Sequence, residues 1–257
     1  MELSVPVSGG SIWADDTGGI GPPLVLLHPG VGDSRIWDPV LPRLAEQHRV
    51  IRYDVRGYGR SPQPTTPYSP LDDLVSLLDH LGLGPVPLVG CSMGGETALA
   101  LALADPGRVS ALVLLCPGFS DYPWPAEPDL DAEYELLVGA GDVDGLTAYG
   151  LRLWAATGAD PAAEAQLRSA ALAWPGEDAY QRPFPPVFGR LGEIGHRTLL
   201  MVGDLDRPAL IASNHQAAAR IPGCRLVLLP GVDHLPPLRA PEPVAEAILT
   251  HCGGAPH

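Results

Sequence analysis

One serine, one histidine and a pair of aspartates have the residue types and spacing that nucleophilic catalysis needs in this 257-residue chain. The stretch Leu88-Val89-Gly90-Cys91-Ser92-Met93-Gly94-Gly95 sets a Gly-x-Ser-x-Gly pattern directly after an apolar strand-like run and before an Ala/Leu-rich helix-like one. A strained strand-to-helix turn there pushes a serine hydroxyl out above a sheet, and small residues on both sides are required because the backbone crowds. Gly90 and Gly94 provide that room. The start of the helix aims free amides and the positive dipole end at a developing oxyanion, which makes the Met93 N–H the natural first donor. A glycine-rich turn without chemistry is the competing reading of the motif; the strand before it and the helix after it argue against that.

A serine needs a base. His234, in Pro230-Gly231-Val232-Asp233-His234-Leu235, follows the last apolar run and precedes the final helix-like one, where a base should project. His48, His80 and His215 fall in or beside amphipathic helices, His196 precedes a strand, and His251 and His257 are at the tail; these read as surface or core residues. His28 closes an apolar strand and reads as a structural hydrogen-bonder. The orienting carboxylate is expected in Val202-Gly203-Asp204-Leu205-Asp206, where Asp206, deeper in the turn, is preferred and Asp204 is assigned to turn formation or capping. Asp233 adjoins His234 in sequence, and neighbouring side chains generally point apart. The order Ser, Asp, His then runs along three separate loops.

Those loops need a rigid frame. Glu2–Val7 and Ser11–Asp15 read as an antiparallel hairpin around Gly9-Gly10, and short apolar runs at 24–28, 49–54, 86–91, 111–116, 198–202 and 225–229 read as buried parallel strands. Helix-like stretches at 36–46, 70–81, 95–104, 209–220 and 241–251 alternate with them, which predicts a doubly wound α/β sheet covered on both faces. The alternation breaks from about Gly118 to Gly192, where Pro-rich turns surround helix-like segments at 129–140, 143–157 and 161–174. We read 118–192 as a helical cap inserted into a core of 1–117 and 193–257.

Composition narrows the partners. Hydrophobic residues at 46% and charged residues at 18% suit one packed α/β domain, and 30 acidic against 16 Lys and Arg residues, a formal charge of −14, disfavour nucleic acid or an anionic membrane. Cys91, Cys116, Cys224 and Cys252 lack CxxC spacing and read as reduced thiols of a cytoplasmic protein. The start of the chain has neither a basic segment nor an apolar signal core, and no run reaches the length of a spanning helix, so a soluble, unexported protein is expected. Cys and His residues show no zinc-like spacing, and no metal or organic cofactor is expected.

Taken together, His28-Pro29-Gly30, Asp54-Val55-Arg56-Gly57-Tyr58-Gly59-Arg60-Ser61, the Ser92 motif, Gly203-x-x-Asp206 and Gly231-Val232-Asp233-His234 resemble the α/β-hydrolase superfamily over nearly the whole chain. Within it the chain most resembles the 3-oxoadipate enol-lactonase-like and small carboxylesterase branch. That resemblance implies an α/β-hydrolase fold with its cap between strands six and seven, and Ser92, Asp206 and His234 as the triad. It also implies a second oxyanion amide at Gly30, with Val31 as the fallback donor, because this chain places Pro29, which has no N–H, where the family usually has glycine. Related branches carry Asp or Cys at the nucleophile position; here Ser92 points to acyl transfer to water from a small-molecule ester or lactone.

Substrate choice is expected in the cap, where Trp124, Trp154, Trp174, Tyr122, Tyr149 and Tyr180 line a pocket or form the cap's own core. Arg152 and Trp154 are the candidates for meeting an anionic substrate, by similarity to an Arg/Trp pairing in enol-lactonases. Two other functions share these residues: a hydrolase-like ligand receptor or scaffold with slow turnover, and a carbon–carbon bond hydrolase or biosynthetic ring-opening or cyclising enzyme. The sequence is compatible with a monomer or a homodimer.

Overall fold

The computed structural model describes residues 1–253. One eight-stranded sheet runs through it: β1 (Glu2–Val7), β2 (Gly10–Asp16), β3 (Pro23–Leu27), β4 (Arg49–Tyr53), β5 (Val86–Cys91), β6 (Val109–Leu115), β7 (Thr198–Gly203) and β8 (Arg225–Leu229). Their spatial order is β1-β2-β4-β3-β5-β6-β7-β8. The hairpin β1–β2 and the pair β2–β4 are antiparallel; every later pair is parallel, in registers such as Val25 with Leu88, Leu88 with Leu112, Leu114 with Leu200 and Leu200 with Leu226. This is the α/β-hydrolase arrangement, as the sequence predicts.

Burial follows the position of each strand. Along β2 buried residues alternate with partly exposed ones, whereas β7 is buried at all its positions and β3 at all but its first, so the inner strands must be covered on both faces. The cover comes from α1 (Leu41–Ala45), α2 (Pro70–His80), α3 (Met93–Ala104), α7 (Pro208–Arg220) and α9 (Pro241–Cys252). Helix α3 packs on β3, β5 and β6, and nearly all of its residues are buried; its Ala and Leu residues surround the helix axis instead of forming one stripe, as a central helix requires. Helices α1 and α9 pack on each other and on β4 and β6.

Between β6 and β7 lie α4 (Pro128–Ala140), α5 (Val143–Trp154) and α6 (Pro161–Tyr180), followed by a 3₁₀ turn at Phe188–Glu193. Helices α5 and α6 pack closely, and side chains of α6 close on the backbone of α5 at Gly150, where a Cβ would press on Leu167 and Trp174. Helix α4 buries none of its residues.

Three elements differ from expectation. The helix expected over 36–46 is a 3₁₀ turn (Ser34–Trp37) followed by the short α1, because Pro39 and Pro42 each remove a donor from the ladder. Helix α6 continues past Trp174 to Tyr180 although Pro175 lies inside it; the bonds Tyr68 N–H to Tyr180 C=O (2.9 Å) and Arg182 N–H to Tyr68 C=O (2.8 Å) anchor its end against that penalty of about 3 kcal/mol. A further short helix, α8 (Pro236–Arg239), starts two residues after His234.

Candidate active site

The strand-to-helix turn holds Ser92 at φ 49° and ψ −113°, a left-handed conformation that a serine adopts only where its surroundings enforce it. The enforcement is backbone on backbone. A Cβ on Gly90 would collide with the Gly94 carbonyl, and one on Gly94 with the Leu27 carbonyl of β3. Ser92 N–H donates to Leu115 C=O at 2.9 Å, and Ser92 C=O accepts from Glu96 N–H (3.1 Å) and Gly118 N–H (3.3 Å). The turn is thereby tied to the ends of β6 and α3. Met93 opens α3, so its N–H has no intrahelical acceptor.

His234 and Asp206 come together from the loops after β8 and β7. His234 Nδ1 lies 2.7 Å from Asp206 Oδ2, with both side chains almost fully out of solvent. Gly203 makes this approach possible: a Cβ there would collide with the Val232 carbonyl, and Leu205 N–H donates to that same carbonyl at 3.0 Å. Asp204 holds the turn instead, accepting from Gly231 N–H at 2.6 Å. Asp233 faces away from the His234–Asp206 pair. It accepts from Thr157 Oγ1–H (2.6 Å), Thr157 N–H (3.1 Å) and Arg239 Nε–H (3.1 Å). Across the imidazole, His234 Nε2 is buried and has no hydrogen-bond partner among the described residues. Cys116 lies beside the pair, and burial and neighbouring Cys91 push its thiol well above the usual range.

Gly30 lies beside Met93. A Cβ built on Gly30 would stand 3.7 Å from both the Cβ and the Sδ of Met93, so the two residues expected to supply the anion donors are in contact range. His28 fixes the loop from beneath: its Nδ1–H donates to Pro29 C=O (2.8 Å) and its Nε2 accepts from Val55 N–H (2.9 Å), which leaves no nitrogen free for catalysis. His48, His196 and His251 bond instead to the carbonyls of Pro22, Pro106 and Arg197, and His257 lies outside the described residues.

Ser92 opens onto a cavity of about 280 Å³ lined by Glu96, Phe119, Trp124, Trp154 and Arg207, among others. A second cavity of about 330 Å³ adjoins it, lined by Gly30, Val31, Tyr134, Tyr149, Trp174 and Glu177; Glu127, Trp154 and Arg207 border both. Trp154 also packs on the His234 ring at 4.5 Å between centroids. Of the aromatic residues named from sequence, Trp124, Trp154, Trp174 and Tyr149 therefore reach the cavities. Tyr122 instead packs edge-on against Trp124 and Phe188, and Tyr180 packs against the core.

Arg152 corrects an expectation. It lines neither cavity, is half exposed, and pairs with Glu133 at 2.6 Å. Its place on α5 turns it outward from Trp154, since residues two apart on a helix face different ways. The cation at the cavities is Arg207, which follows Asp206 directly, pairs with Glu127 and stacks over Trp154 at 5.1 Å. Glu96 was also not singled out by sequence. It is buried on α3, accepts from Ser120 N–H at 2.6 Å, and burial raises its carboxyl above the usual range. The available signal was one acid inside an otherwise Ala/Leu-rich helix.

Comparison with known proteins agrees with this architecture. The family described as alpha/beta hydrolase fold matches residues 22–173. The chain belongs to that family. A Caulobacter segnis protein that carries the name carbamate hydrolase RutD is 30% identical over 257 aligned positions, covering 90% of this chain and 92% of that one. Among solved structures, a hydrolase from Pseudomonas aeruginosa PA01 superposes with a TM-score of 0.83 at 28% identity, covering 99% of this chain and 98% of that one. The enol-lactonase from Burkholderia xenovorans LB400 has the same TM-score at 22% identity, covering 98% and 100%, which speaks to fold alone. These likenesses place the chain among the α/β hydrolases. Among the described residues no helix is long and apolar enough to cross a membrane.

Proposed function

We propose that this α/β hydrolase cleaves an ester or lactone of a small molecule through an acyl-enzyme on Ser92, with His234 as general base and Asp206 orienting it. The observation that carries the proposal is the buried 2.7 Å contact between His234 Nδ1 and Asp206 Oδ2, which leaves Nε2 unpartnered. A carboxylate on Nδ1 fixes the tautomer in which Nε2 carries the lone pair, the form able to take a serine proton. Ser92 Oγ then attacks the carbonyl carbon as His234 Nε2 takes its proton. The tetrahedral anion is stabilised by the Met93 and Gly30 amides, and His234 returns the proton to the leaving oxygen. Water repeats the sequence to release the acid and restore Ser92. Residues 118–192 act as the cap, and Trp154 shields the imidazole from solvent.

A serine nucleophile attacks carbamates by the same steps, and the substrate panel must include them. We also place the protein in the cytoplasm, since all four cysteines are free. The test is hydrolysis of p-nitrophenyl acetate and butyrate by the wild type and by Ser92→Ala, with a fluorophosphonate probe whose adduct is located by mass spectrometry. Turnover and an adduct on Ser92, both lost in the variant, are expected. Folded protein that neither turns over nor labels would overturn the proposal and favour a ligand receptor.

A further inference from the structure

The loop after β3 carries Gly30, the second expected anion donor. Its first peptide is secured within the core. Pro29 C=O accepts from His28 Nδ1–H (2.8 Å) and from Gly32 N–H (3.3 Å). Because the peptide is planar and trans, fixing that carbonyl fixes the Gly30 N–H on its other side.

The next peptide, Gly30–Val31, is secured differently. Gly30 C=O accepts from Trp174 Nε1–H at 2.8 Å and from Tyr58 O–H at 3.1 Å. Trp174 belongs to α6, between β6 and β7. Glu177, one turn later on the same helix face, accepts the Tyr58 hydroxyl proton as well. The anchors are unequal: the indole N–H has one acceptor, while the single Tyr58 proton is shared between Gly30 C=O and the Glu177 carboxylate. Something must hold this peptide. Glycine at position 30 turns easily about its own bonds, and a flipped peptide would move a carbonyl oxygen toward the place where Val31 N–H now stands. Beside Met93, a carbonyl dipole of that sign would oppose the developing oxyanion.

We infer that Trp174, assisted by Tyr58, is a positioning residue: by holding the Gly30 carbonyl it keeps the Gly30–Val31 peptide from flipping, so the loop turns no opposing carbonyl dipole toward the anion site while α6 is docked. This rests on the serine hydrolase reading above. The reach of α6 into the loop is independently supported by Gln166, whose Oε1 accepts from Asp33 N–H (2.9 Å), and by Ser169, whose hydroxyl donates to Asp33 Oδ2 at 2.6 Å.

The experiment compares wild type, Trp174→Phe, Tyr58→Phe and the double variant in two ways. Hydrogen exchange of the segment 28–34 is followed without ligand, and kcat, KM and inhibition by phenylboronic acid are measured with p-nitrophenyl butyrate. Boronate bound to Ser92 places an oxygen at the anion site and reports on it directly. Trp174→Phe keeps an aromatic ring but removes the donor together with the second ring of the indole, whereas Tyr58→Phe removes only a hydroxyl; Trp174→Phe is expected to speed loop exchange, lower kcat about tenfold and weaken boronate by about the same factor, with KM within about twofold. Tyr58→Phe should do less and the double variant more. Unchanged exchange and boronate affinity, with Ser92 still labelled by fluorophosphonate, would overturn this inference alone. A raised KM with kcat and boronate untouched would also overturn it, making Trp174 a pocket wall. Absence of Ser92 labelling in folded wild type would instead bring down the catalytic reading itself. If Trp174→Phe does not fold, Tyr58→Phe carries the same test, with the effect expected in the same direction.

Discussion

The turn around Ser92 and the helices between β6 and β7 enclose the same cavity but are held by different forces. At Ser92 the restraint is backbone packed against backbone: Gly90 against Gly94 and Gly94 against β3. In the inserted segment the restraint is a set of side-chain bonds to the core, from Thr157 to Asp233, Ser169 to Asp33 and Trp174 to Gly30, and α4 contributes no buried residue. Backbone packing tolerates almost no substitution, whereas side-chain latches can be exchanged singly without disturbing the turn beneath them.

Substitutions on each side of that divide should separate in size. Ser92→Ala is expected to lower kcat by at least about a thousandfold with the melting temperature nearly unchanged; measurable esterase turnover at the wild-type rate would remove the contrast altogether. Asp206→Asn should follow, with a loss of about a hundredfold or more in kcat, because the amide no longer enforces the tautomer that leaves Nε2 free. Stopped-assay kinetics on the purified variants decide both. Trp154→Ala, on the inserted side, should cost only about three- to tenfold in kcat/KM while shifting the preferred acyl-chain length, since it opens the partition between the two cavities and uncovers the His234 ring. A flat response across an ester series would deny Trp154 a pocket role.

Glu177 gives a pH test of the latches. Burial, with Asp178 adding to it and the Tyr58 hydroxyl bond opposing, raises its carboxyl from 4.5 to about 7. The folded state therefore binds the proton more tightly than the unfolded one, so this group's stabilising contribution is complete below pH 4.5 and is lost as pH rises through about 7. Glu177→Gln, which cannot ionise, should gain stability relative to wild type when urea unfolding is compared at about pH 8 and about pH 5. An equal difference at the two pH values would show that the carboxyl titrates normally. The smallest effect is expected of Arg152→Ala: its exposed pair with Glu133 should leave kcat/KM within about twofold and stability within about 1 kcal/mol.

What could be read from the sequence was what local pattern and backbone sterics decide. Short apolar runs gave the strands; β5 and β8 fall at the expected residues, and the glycines around Ser92 signal crowding because no other residue fits there. Asp206 was preferred over Asp204 from its depth in the turn, and the structure puts Asp206 on His234 and Asp204 on Gly231. Partnerships between distant side chains were out of reach. Arg152 and Arg207 both stand close in sequence to a residue of interest, and only the turn of α5 and the position of the loop after β7 decide which one faces the cavities. Trp174 read as an aromatic residue at a helix end; that its indole meets a backbone carbonyl 144 positions away depends on how α6 lies across the sheet. The sequence alone determined the strand-to-helix turn and the order of the chemical groups, because hydrophobic period and glycine sterics act over a few neighbouring residues. Tertiary structure decided which cation, which tryptophan and which carboxylates surround Ser92, because those contacts are set by the packing of elements far apart along the chain.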